Sequence, residues 1–344
     1  MAAVVNTSAG PNNYTHNTDE SAIFLANRRH RIMWPVSSPL ADDKETNGGE
    51  TKADCVQDYS PCSCSLNSNN KTVTCNGISV QTIHDVFQRV SDLEIYELKW
   101  TRPLPNNETK TISVPADFLG YTSTGRIYIE CNTENRLNLV IDPFAFRLSQ
   151  NSLAQFSVRF FDFGLQTNFN FLNGFDKLEE LSFFSINNFT AFQYLPPLPS
   201  LQNIFISYCP EISQIAFPDL SSAKLKKLEL NYNQISDDKA DEIVAKLARS
   251  NSANSLAWLD LWGNSLTRIP SQVGSAFPEL ESFNLNNNKI VNIPSASFTF
   301  VSRYLDYLGL YQNRIKTIES GAFRGKLTSA RAISLFFCLT NRIT

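Results

Sequence analysis

Leu225-Lys226-Lys227-Leu228-Glu229-Leu230-Asn231-Tyr232-Asn233-Gln234-Ile235 is the stretch that decides the fold. Its pattern, L-x-x-L-x-L-x-x-N-x-(I/L), returns three times downstream. The copies are Leu256, Leu259, Leu261, Asn264, Leu266; Leu280, Phe283, Leu285, Asn288, Ile290; and Leu305, Leu308, Leu310, Asn313, Ile315. Their starts lie 31, 24 and 25 residues apart (225 to 256, 256 to 280, 280 to 305). In each copy the fourth and sixth positions are apolar and flank a variable residue, which is the period of a short strand with one buried face. The Asn falls where the chain leaves that strand, and its amide can bond the backbone of neighbouring turns. One such unit cannot bury its own apolar edge, so the units are expected to stack.

Composition sets further bounds. The 344 residues carry a net charge of −3 and are 42% hydrophobic, enough for a sizeable core. The near-neutral balance argues against a nucleic-acid or membrane-surface partner. No apolar run reaches the roughly 18 to 20 residues that cross a bilayer. The longest, Ala332 to Leu339, reads as a buried strand or an unfinished repeat.

Residues 1–50 are polar, rich in Asn, Thr, Ser and Asp, and lack the repeat, so a disordered tail is expected. No signal peptide is visible in it, because Ala2 to Val5 runs straight into Asn6 and Ile23 to Ala26 is too short. Cys55, Cys62, Cys64 and Cys75 then crowd into 21 residues just ahead of the repeats. Cys-x-Cys is a poor chelating pair beside C-x-x-C, so disulfides are favoured over a zinc site. Of the other cysteines, Cys209 stands where Asn stands in the clean copies, Cys338 falls on a strand position, and Cys131 is either core or a free thiol.

The four copies carry the leucine-rich repeat signature. With the four cysteines ahead of them, residues 55–344 resemble the extracellular leucine-rich repeat superfamily with a cysteine-rich N-terminal cap. The resemblance implies an α/β solenoid (horseshoe) with a parallel concave sheet and a disulfide-linked cap over its first unit. It also implies the pairings Cys55–Cys64 and Cys62–Cys75, although the gap from Cys55 to Cys62 is longer than the common form. Repeat proteins of this kind stack Phe along the convex side, and Phe298 and Phe323 each follow Ile293 and Ile318 by five residues. Asp58-Tyr59-Ser60-Pro61-Cys62-Ser63-Cys64, with Leu195-Pro196-Pro197-Leu198-Pro199-Ser200-Leu201 leading to Ile206 and Cys209, is similar to a narrower group. These are secreted arthropod proteins resembling the non-catalytic subunit of oplophorus-luciferin 2-monooxygenase. That likeness implies an extracellular accessory protein with no chemistry of its own.

The expected organisation is a tail over 1–50, a cap over 51–90 and a solenoid over 91–344. The last repeat (Ile333, Phe336, Cys338, Asn341, Ile343) stops at Thr344, so the chain reads as truncated. Weaker units open at Leu93, Ile127, Leu153, Leu178 and Leu201, about nine units in all. Between Ile235 and Leu256 a helix is expected, with Asp237 and Asp238 at its start and Lys246 and Arg249 near its end to suit the helix dipole. Its Asp238 and Asp241 read as solvated acids rather than a catalytic pair.

Neither P-loop, G-x-S-x-G, H-E-x-x-H nor a poised Cys/His pair is present, so the chain reads as a non-enzymatic binding or scaffold protein without cofactor or metal. An intracellular repeat scaffold, or a fragment of a cell-surface receptor ectodomain, is the alternative. A protein partner is expected on the concave face, with no nucleic acid and no membrane insertion. Positions three, five, seven and eight of each repeat project there: Phe205, Tyr208, Glu229, Tyr232, Trp258, Asp260, Trp262, Asn284, Tyr307 and Tyr311. Such aromatics either cover one another along the sheet or anchor a partner. In the latter case Asp260 would choose a cationic or donor group. If the protein is secreted, the N-x-S/T sequons at Asn70, Asn107 and Asn188 are candidates for glycan, Asn70 and Asn107 foremost.

Overall fold

The computed structural model describes residues 55, 57–90, 93–105, 110–132, 134, 136–299, 301–302, 304–323 and 332–334. The tail over 1–50, Asn107 and Cys338 lie outside them. The cap begins with a hairpin, β1 (Ser63–Asn67) antiparallel to β2 (Asn70–Asn76), and continues into α1 (Val80–Arg89). Every further strand of the main sheet is parallel. They are β3 (Glu94–Thr101), β5 (Ser123–Glu130), β7 (Gln155–Arg159), β8 (Glu180–Phe184) and β9 (Asn203–Ser207). Then come β10 (Lys227–Asn231), β11 (Trp258–Asp260), β12 (Ser282–Asn284), β14 (Tyr307–Gly309) and β16 (Ala332–Ser334). Among the described residues ten strands therefore follow the hairpin, one more than the roughly nine units read from sequence. Two small parallel pairs lie outside this ladder: β4 (Thr111–Val114) with β6 (Asn138–Ile141), and β13 (Asn292–Ile293) with β15 (Thr317–Ile318).

The alternation in each repeat frame explains this order. Leu228 and Leu230 point into the core and are fully buried, as are Leu259, Leu285 and Leu308, while the residues between them face the other way. The frame also sets where each strand stops. Position eight takes a left-handed conformation in repeat after repeat, at Arg102, Phe160, Ser185, Tyr208, Tyr232, Gly263, Asn287 and Gln312, with φ between 50° and 70°. Its N–H continues the ladder past the strand, as Tyr208 N–H donates to Asn231 O at 3.1 Å and Tyr232 N–H to Trp262 O at 2.9 Å.

The Asn at position nine closes the turn between units. Asn264 Nδ2 donates to Leu230 O and Leu261 O, and its Oδ1 accepts from the Asn233 and Ile235 amides, all within 2.7–3.0 Å. Asn233, Asn288 and Asn313 repeat this bridge to the preceding unit. Cys209, in the same position, is a buried free thiol whose Sγ accepts from Ile186 N–H. Cys131 is likewise buried and lies outside the two disulfides.

The core changes character along the chain. Between β7 and β9 it is a cluster of phenylalanines, with Phe183 and Phe189 rings 4.8 Å apart and Phe169, Phe192 and Phe163 around them. Phe replaces Leu there, and the repeat blurs in sequence for that reason. A second aromatic line, Trp100–Phe118–Phe146–Phe156, runs through the earlier units at 5.6–6.2 Å. Phe298 and Phe323 stack at 5.1 Å, as their spacing predicts.

The inserted helix, α2 (Asp237–Ala248), is capped by Ser236, whose hydroxyl accepts from Lys239 N–H. The structure corrects one detail of its acids. Asp238 is exposed as expected, but Asp241 is not merely solvated. Its carboxylate accepts from Ser271 N–H and Oγ and from the Arg268 guanidinium, tying the helix to the next unit. These bonds hold its carboxyl below the usual range despite partial burial.

Candidate functional site: the outer face of the sheet

The parallel register lays the outward positions in straight rows across the strands. One row runs Arg126–Gln155–Glu180–Asn203–Lys227–Trp258–Ser282–Tyr307. The next runs Tyr128–Ser157–Ser182–Phe205–Glu229–Asp260–Asn284–Gly309. Along the strand ends a third line consists of rings. Phe160, Phe184, Tyr208, Tyr232 and Trp262 follow one another at 5.3, 5.2, 4.6 and 5.1 Å. Tyr208 and Tyr232 are parallel to within 9°. Adjacent parallel strands lie about 4.8 Å apart, so Tyr208 and Tyr232, both at position eight, meet at stacking distance, while Phe184 and Trp262, one position earlier, meet their neighbours tilted or edge-on.

Charge is threaded between the rings. Lys227 Nζ lies 4.5 Å from the Trp258 ring centre and 5.2 Å from that of Phe205, and pairs with Glu229 Oε1 at 2.8 Å. Glu229 stands in register with Asp260. Asp260 is 7% exposed, and both its oxygens are engaged, Oδ1 by Trp262 N–H at 3.0 Å and Oδ2 by Asn284 Nδ2 at 3.1 Å. Burial, and then the charge of Glu229, push its carboxyl up to about 7. Asn286 Nδ2 donates to Tyr307 Oη at 2.9 Å. Burial likewise pushes the Tyr208 and Tyr307 hydroxyls up to about 12.

All ten residues expected on this face lie along its strands and strand ends, but they are not equally presented. Tyr208 and Tyr311 are exposed, while Phe205, Glu229, Tyr232, Trp258, Trp262 and Tyr307 are half-buried. Asp260 and Asn284 are covered, because each bonds to the neighbouring strand rather than to solvent. Sequence reading missed Phe160, Phe184, Tyr128, Arg126 and Arg159. The signal was available in the frame, since Phe160 is position eight counted from Leu153 and Phe184 is position seven counted from Leu178.

In the cap, Cys55 bonds Cys64 and Cys62 bonds Cys75, with Cα separations of 6.1 and 4.4 Å. Asn70 is exposed at the hairpin turn. Asn188 is also exposed, but its Nδ2 donates to both Asp162 oxygens at 2.9 and 3.0 Å. Among the described residues no helix is long and apolar enough to cross a membrane.

Comparison with known proteins agrees with the architecture. Residues 254–303 and 278–338 match the leucine rich repeat family. The chain is 30% identical over 116 residues to human leucine-rich repeats and immunoglobulin-like domains protein 2, a match covering 34% of this chain and 10% of that protein. It is 28% identical over 169 residues to bovine osteomodulin, covering 39% of each. The chain thus spans well under two thirds of either relative. Repeat frame, parallel ladder, Asn bridges and paired cap cysteines together make the chain a leucine-rich repeat protein with a cysteine-rich N-terminal cap.

Proposed function

We propose that this is a non-enzymatic extracellular protein that binds a protein partner on the outer, concave face of its sheet. The observation that carries the reading is the ring line from Phe160 to Trp262, flanked by Trp258 under Lys227. Rings fixed by their neighbours lose little entropy when a partner covers them, which is what makes Trp and Tyr strong interface anchors. Stacking along the sheet and anchoring a partner are compatible roles, because the stacked rings keep an exposed edge at Tyr208. Asp260 acts here as a positioning group for Trp262, through the Trp262 N–H. The two cap disulfides support an oxidising compartment. An accessory role, as a non-catalytic subunit beside a separate enzyme, follows from the likeness of the cap and the Pro-rich run to such subunits.

The test is affinity for a partner recovered from the extracellular medium, compared between wild type and Trp262→Ala. Weakening by about tenfold or more, with an unchanged melting temperature, is expected. Equal affinity would move the site off this face.

A further inference from the structure

Arg159 stands on the outer face, where Glu130 attracts it at longer range but does not close on it as an ion pair. It lies on β7, in register with Glu130 on one side and Phe184 on the other. Its guanidinium carbon is 5.4 Å from the Tyr128 ring centre and 5.7 Å from that of Phe184. Its Nε is buried and has no hydrogen-bond partner, and no ion pair joins it to an acid among the described residues. Glu130, the acid in register, turns its carboxylate to the Tyr128 hydroxyl instead. Beside Arg159 the row carries small side chains. Ser157 and Ser182 occupy consecutive places in the row between Tyr128 and Phe205, so two small side chains sit between two large rings.

Two rings beside the guanidinium restrict its orientation. A planar fork of that kind matches a carboxylate, which can take two parallel N–H bonds at once. The Nε–H that the folded chain leaves unfilled marks this guanidinium as under-satisfied. The surroundings select the kind of anion. Glu130, Glu180 and Glu229 share these rows with Arg126 and Lys227, so no surplus of positive charge builds up for a polyanion, and the match is to a single carboxylate.

We propose that Arg159 is the carboxylate-reading point of this face. It takes an Asp or Glu side chain from a segment of the protein partner that lies over Ser157 and Ser182. The assignment rests on the face being the binding surface, and deepens that reading.

The experiment uses a phage-displayed library of random linear peptides selected on the full chain. Calorimetry then compares the recovered peptides on wild type, Arg159→Ala, Arg159→Lys, Glu130→Gln and Trp262→Ala, each first checked for an unchanged melting temperature. Recovered peptides should share an acidic residue. Arg159→Ala, or the acid-to-amide change in the peptide, should each weaken binding about tenfold, and the two together little more than either alone. Arg159→Lys should restore only part of the loss, and Glu130→Gln should tighten binding by removing a competing charge. Peptides that bind Arg159→Ala as well as wild type, or a selection yielding none, overturn the assignment. Loss with Trp262→Ala alone would keep the face and discard Arg159, and loss with neither would discard both. Binding of heparin oligosaccharides that requires Arg159 would replace the carboxylate with a polyanion.

Discussion

At Gly263 two requirements meet in one residue. Its φ of +70° belongs to the left-handed region, and a Cβ there would come within 2.5–2.9 Å of three ring carbons of Tyr232. Gly263→Ala should therefore cost about 1–3 kcal/mol and push Tyr232 off Tyr208. A lower midpoint in denaturant together with a changed near-UV dichroism would show both effects, and an unaltered midpoint would contradict them. Asp260 makes a prediction in pH. Its carboxyl titrates near pH 7 when folded, against about pH 4 in an unfolded chain. Between those values the folded protein holds a proton that the unfolded chain has released, so stability falls as pH rises through the window. Asp260→Asn keeps an oxygen for the Trp262 N–H but cannot ionise. Its unfolding free energy relative to wild type should shift in its favour by a few kcal/mol, as an order of magnitude, between about pH 4 and pH 8. Parallel curves across that range would refute the assignment. That Asp260 is outward in frame was legible in sequence. That it is covered was not, because covering depends on Asn284 and Trp262, brought alongside only by the register.

The repeat strand is the element the sequence announces most clearly. Asn233, Asn264, Asn288 and Asn313 mark its end by eye, and each does bridge to the preceding unit. Upstream the same element is disguised. In the unit opened by Leu178 the frame has Phe183 at position six and Ile186 where the Asn would be, and the aromatic core at Phe169, Phe183 and Phe189 supplies the packing that Leu supplies later. Helix α1 went unread, although Ser79 followed by Val80, Ile83, Val86 and Phe87 offers a cap and a helical apolar face, because the cap region was read through its cysteines. The cap itself carries a stability prediction. Its disulfides close sequence separations of 9 and 13 residues, and such short loops contribute about 2–4 kcal/mol each on the chain-entropy estimate. Reducing the folded protein should lower its melting temperature by several degrees, and identical melting with and without reductant would mean the bridges do not support the fold.

Across the molecule, one sheet separates two kinds of aromatic. Those facing inward form the core, from Trp100 through the phenylalanines to Phe298 and Phe323. Those facing outward form the ring line that the proposed function uses. Four tryptophans report on this division. Trp34 lies outside the described residues, Trp100 is fully buried, and Trp258 and Trp262 stand on the outer face. In a Trp34→Phe variant, fluorescence accessible to acrylamide thus comes from the two face tryptophans. Quenching of that variant, with and without a bound protein partner, measures directly whether the partner covers the face. The account predicts that saturation with partner protects Trp258 and Trp262 and cuts the quenching constant at least about twofold, as expected for anchors buried at an interface centre. Quenching that stays the same when the partner is fully bound would contradict it.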